Sequence, residues 1–123
     1  MTPEAAVQTF LSGFGMPAYA TASVPDGAAF PYISYDLVIP DYDEVAAMTV
    51  NVWYRTTSES EPNAKVREIG RAIGHGGVIL ECDDGVVWLT KGSPWAQAIS
   101  VAEEDDMVKR RYLNVNTEFF TFD

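Results

Sequence analysis

Hydrophobic positions change their spacing several times along the chain, and each change marks an element. Thr2-Pro3-Glu4 is a helix start, with a hydroxyl N-cap, proline at the first helical position and an acid in the first turn. Val7, Phe10, Leu11 and Phe14 then recur at helical spacing, which gives one apolar stripe. Gly13 and Gly15 supply a C-cap and Pro17 forbids continuation, so the first element is a short amphipathic helix. Ala18 to Pro31 is small and kinked, with Pro25-Asp26-Gly27 as a turn signal. From Tyr32 to Ile39 the period becomes two: Ile33, Tyr35, Leu37 and Ile39 point inward, and Ser34 and Asp36 outward. An acidic turn, Pro40 to Glu44, precedes a second alternating run from Ala46 to Arg55. There Met48, Val50, Val52 and Tyr54 face in, and Thr49, Asn51, Trp53 and Arg55 face out. A short loop between two such runs predicts an antiparallel pair.

After a polar loop, Val66, Ile69 and Ile73 define the apolar face of a second helix over Pro62 to Ile73. Gly70 lies on that face. An interior glycine costs a helix about 1 kcal/mol against alanine, so its use here is close approach to the sheet. Gly74 to Gly77 ends the helix. Val78 to Cys82 and Val86 to Thr90 flank Asp83-Asp84-Gly85, a strong hairpin signal. Gly92-Ser93-Pro94 stops this pair, Ala96 to Val101 reads as a short strand, and Glu103 to Asp106 as a solvated turn. The last element, Met107 to Phe122, sets Leu113, Val115 and Phe119 against Arg110, Tyr112, Asn114, Asn116 and Glu118. The pattern predicts one α+β domain over residues 1–123, with a mainly antiparallel or mixed β-sheet and two amphipathic helices packed on one face. Two short helices do not cover six strands, so the remaining sheet surface needs another shield, and a second subunit would supply one.

Charge narrows the function. Eight Lys and Arg against eighteen Asp and Glu give a net charge of −10, which repels phosphate and anionic lipid. No apolar run approaches the ~20 residues that span a bilayer, and the acidic N-terminal stretch is not a secretory signal. The expectation is a soluble protein made inside a cell, without membrane or specific nucleic-acid partners. Cys82 is the only cysteine, so an internal disulfide and a zinc site both fail on count.

Catalytic signals are weak. His75 is the only histidine, in Gly74-His75-Gly76-Gly77. It reads either as a general base or as part of a capping turn that favours the helix dipole. Ser12 lacks the flanking glycines of a nucleophile elbow, and Lys91-Gly92-Ser93 reverses the order of a phosphate loop. The acidic turns lack calcium-loop spacing. No catalytic, metal or cofactor site is therefore assigned. Two features stand out instead. Lys109-Arg110-Arg111 is the only basic run and follows Glu103-Glu104-Asp105-Asp106. The acids of one subunit could meet the bases of the next, or compensate them within one chain. Trp95 sits where no core pattern demands it, which suits an interface anchor or a satellite core contact.

The run from Thr90 through Trp95 to Gln97, the acidic turn, and Lys109 to Phe119 with Tyr112 among them resemble the C-terminal half of the tail terminator proteins of long-tailed bacteriophages. This family is also called tail completion proteins, and some members minor capsid proteins. Pro31 to Tyr35 and the helix before the hairpin extend the similarity over most of the chain. The resemblance implies a virion protein, assembled in the bacterial cytoplasm, that forms a homohexameric ring at the head–tail junction. Such a ring caps the head-proximal end of the tail tube, stops its growth and joins the head connector. DNA passes through without specific binding. It further implies no enzymatic residues and no cofactor, and it carries Trp95 and Arg110 to Tyr112 over as contact positions. Six copies would carry about −60 in all, and an acidic channel wall in such a ring would discourage DNA from sticking. Another head–tail connector or tail adaptor is the nearest alternative, and a small enzyme or ligand-binding domain using His75 the alternative of a different class.

Overall fold

The computed structural model describes residues 1–37, 44–99 and 107–121. Thr2 caps the first helix, α1 (Pro3–Leu11), its hydroxyl accepting from the Ala5 amide at 3.1 Å. A short strand β1 (Ala18–Ala20) follows, then β2 (Tyr32–Tyr35), β3 (Val45–Arg55), α2 (Ser60–Ile73), β4 (Val78–Cys82), β5 (Gly85–Ile99) and β6 (Val108–Thr121). The strands form one sheet in the order β1-β2-β3-β6-β5-β4. Every junction is antiparallel except β1 with β2, so the sheet is mixed and mainly antiparallel. The α+β architecture expected from the pattern is the one the chain adopts.

Both helices pack on the same face. Val7 and Leu11 of α1 and Ile69 and Ile73 of α2 share one buried cluster with Met48, Val50 and Val52 of β3, Val87 and Leu89 of β5, and Leu113 and Val115 of β6. The period-two alternation of β3 and β6 thus sorts their apolar residues as read: one face goes to the two helices, and neither α1 nor α2 packs on the other.

Several local readings change. The strand beginning at Tyr32 ends at Tyr35, so Leu37, expected to point inward, lies beyond it and is exposed; Ile39 and the acidic turn Pro40 to Asp43 lie outside the described residues. Ser34, expected on the solvent side, is buried, because the Trp53 indole covers it and donates to its hydroxyl at 2.9 Å. β1 replaces part of the segment read as irregular. At the hairpin, Cys82 pairs with Gly85, so the tip is Asp83-Asp84. Asp84 takes the left-handed conformation, φ 64°, that aspartate tolerates better than most residues. Gly92-Ser93-Pro94 does not stop the strand. β5 runs through it by a bulge, with the pairing of Lys91 to Val115 resuming at Ala96 to Leu113.

Gly70 makes the close approach that its place in α2 suggested, and the neighbour is Trp95. A Cβ at position 70 would stand 3.3 Å from the indole nitrogen, tighter than ordinary contact. Gly70→Leu should therefore overpack this junction and cost about 1–3 kcal/mol. A thermal melt checks it, and an unchanged midpoint would show that α2 and the bulge yield freely.

Candidate functional site

On the helix-free face, register alone brings together residues far apart in the chain. Tyr32 of β2 pairs with Trp53 of β3, and Trp53 with Arg110 of β6. The rings of Tyr32 and Trp53 stack with centroids 6.1 Å apart, while Tyr19 and Phe30 meet Tyr32 at 6.0 and 5.4 Å. The Arg110 guanidinium lies 5.1 Å from the centre of the Trp53 ring and 5.8 Å from that of Tyr112. Its Nε donates to Asn51 Oδ1 at 2.7 Å. This layer of aromatic rings and one cation closes over Ser34 and Asn51, which is why two polar residues on a face without helices are nearly inaccessible. Burial also pushes the Tyr32 phenol above its ordinary pKa, so it stays a neutral hydrogen-bonding group at physiological pH.

The two arginines of the basic run part company, as strand alternation requires. Arg110 and Tyr112 reach the helix-free face; Arg111 turns inward and is buried. Arg111 Nε donates to Asn63 Oδ1 at 3.0 Å and its Nη2 to Glu59 Oε1 at 2.5 Å, tying β6 to the start of α2. Lys109 Nζ lies 3.9 Å from the other oxygen of Glu59. For Lys109 and Arg111 the charge compensation lies within the chain, through an acid that the sequence reading did not single out. Glu103, Glu104, Asp105 and Asp106, the expected acidic partners, lie outside the described residues.

Trp95 belongs to the bulge of β5, half-buried against Gly70 and the edge of the core. Lys91 Nζ sits 5.8 Å from the centre of its ring. Its rim borders an open depression of about 490 Å³ that Arg67, Arg71, His75 and Lys91 also line. His75 is exposed just beyond the end of α2 and makes no hydrogen bond within the described residues. Cys82 is half-buried; burial first, then the nearby Asp83 carboxylate, pushes its thiol pKa up, the opposite of what a nucleophilic cysteine needs. Among the described residues, no three of His, Cys, Asp and Glu converge on a possible metal position. No described helix is long and apolar enough to cross a membrane.

The sheet also leaves an edge. β4 covers β5 only as far as Leu89, and from Thr90 to Ile99 no described strand pairs with β5 on the side away from β6. A bare edge and a helix-free face rich in aromatic and arginine side chains are both surfaces that association covers. Comparison with known protein families, with curated proteins and with solved structures finds no match.

Proposed function

We propose that this chain is a structural subunit of a long-tailed bacteriophage, a tail terminator that assembles into a ring, hexameric by the resemblance of its C-terminal half. Placed at the head-proximal end of the tail tube, the ring halts polymerisation of the tube protein and offers its other rim to the head connector. The observation that carries this reading is the helix-free sheet face. Its centre carries Trp53, Arg110 and Tyr112, each half-buried, and these are the residue types that most often anchor protein contacts. The open edge of β5 adds a second surface of the same kind. A ring closes through head-to-tail contacts, so each copy must present two different complementary surfaces, and a subunit with uncovered sheet on one face and along one edge has them.

A neighbouring head–tail connector or tail adaptor would use the same surfaces and differs in where it acts. Deletion of the coding sequence from the phage separates the two roles. Loss of a terminator leaves tubes that overgrow; loss of a connector or adaptor leaves tails of normal length unattached to heads. Tails of correct length on infectious particles would contradict both.

A further inference from the structure

The basic groups of this acidic molecule are unevenly disposed. Lys65 meets Glu68 at 2.9 Å, Arg111 and Lys109 share Glu59, and Arg110 lies over Trp53 and Tyr112. Arg67, Arg71 and Lys91 instead converge on the depression beside Trp95, all three exposed, and none has an ion-pair partner among the described residues. Arg67 and Arg71 are four residues apart on α2, so they stand on one helical face, and Lys91 faces them from β5. The C-terminal end of the helix dipole favours Arg71 alone. Three like charges gathered around a half-buried tryptophan, in a chain with eighteen acids, make a surface that gains by receiving carboxylates.

The opposite charge stands at the other end of the neighbouring strand. β4 begins just after His75-Gly76-Gly77, beside the depression, and ends at the hairpin tip, where Glu81 and Asp84 are exposed. Five residues of extended chain separate the two ends by about 17 Å. One margin of the domain is therefore basic at one end and acidic at the other. We propose that the depression lined by Arg67, Arg71, Lys91 and Trp95 receives the Glu81–Asp84 hairpin tip of a second copy of this chain. This proposal rests on the ring reading and adds to it a polar lateral contact beside the open edge of β5, which Lys91 and Trp95 border. Repeated head to tail, the contact joins the basic end of one subunit's margin to the acidic end of the next, a heterologous contact of the kind that a ring uses.

The test uses two variants of the full chain. Arg71→Glu with Lys91→Glu makes the depression acidic. Glu81→Arg with Asp84→Asn makes the tip basic, asparagine being accepted at the left-handed position. All four sites are exposed, and circular dichroism and a thermal melt confirm folding of each variant. Light scattering then reads mass, alone and on purified tail tubes. Wild-type chain is expected to assemble, each variant alone to remain monomeric, and an equimolar mixture to recover the wild-type mass, because acidic tip then meets basic depression and the reverse pair also matches. Wild-type rings also formed by either variant alone, or a mixture that stays monomeric, overturn this contact while leaving the ring reading in place. A wild-type chain that never assembles, in solution or on tubes, overturns both. Binding of a DNA fragment by the wild type that disappears in the acidic-depression variant would give the patch to nucleic acid instead.

Discussion

Arg110→Asp is expected to leave the domain folded and, on the proposed function, to lower head–tail joining by at least about thirtyfold, the equivalent of about 2 kcal/mol at a contact hot spot. Arg110 is placed for such an effect. Its guanidinium bridges Trp53 and Tyr112 on the face that no helix covers, and its Nε holds Asn51. A carboxylate there loses both cation–π contacts and turns the centre of the patch repulsive. Folding should lose about 1–3 kcal/mol, since buried Asn51 is left without its donor, so joining is compared at a temperature where the variant is fully folded. Joining is measured by adding purified protein to heads and tails made without it, with a thermal melt as the folding control. Full joining by a normally folded variant would remove this face from the account.

Arg111→Ala should do the reverse, harming the fold. Arg111 is 6 % exposed and fills the space between β6 and the start of α2. Shortening it empties that space and leaves Asn63 without its donor, a loss of about 2–4 kcal/mol. Lysine should not rescue it, because a single ammonium cannot reproduce the fork that reaches Asn63 and Glu59 together. The same contact predicts a dependence on acid. The hydrogen bond from Arg111 is the main cause holding the Glu59 carboxyl below its usual pKa; partial desolvation opposes it, and the charges of Arg111 and Lys109 add to it. With the folded pKa below the unfolded one, this stabilisation is complete above the unfolded value and is lost as pH falls through the folded value. Glu59→Gln should therefore flatten part of the stability loss below about pH 4, measured by denaturant titration. An identical acid limb in the variant would mean that Glu59 carries none of it.

Periodicity made much of this fold readable. In β3 and β6, Met48, Val50, Val52, Leu113 and Val115 alternate over many residues, and all five are buried on the helix side. β1 escaped because three residues, Ala18-Tyr19-Ala20, are too few to show a period. The continuation of β5 through Gly92-Ser93-Pro94 escaped for another reason: the turn chemistry there is genuine but is spent on a bulge, where the Pro94 carbonyl accepts from Asn114. The candidate surface was legible in part. Outward placement of Trp53, Arg110 and Tyr112 follows from alternation, whereas their meeting depends on the register between β3 and β6. The partition of Arg110 from Arg111 follows from the same alternation, yet a basic run read as one unit conceals it. Arg67, Arg71 and Lys91 are separated by a hairpin strand, so only the packing of α2 on β5 assembles them.

All of these surfaces matter only if copies of the chain associate. The decisive measurement is the mass of the purified protein by light scattering over a range of concentrations, alone and with tail tubes, with negative-stain imaging of the same samples. The account predicts rings of about 81 kDa, six times the 13.5 kDa of one chain, seated at one end of each tube. A 13.5 kDa monomer at every concentration that leaves tube ends bare would contradict it.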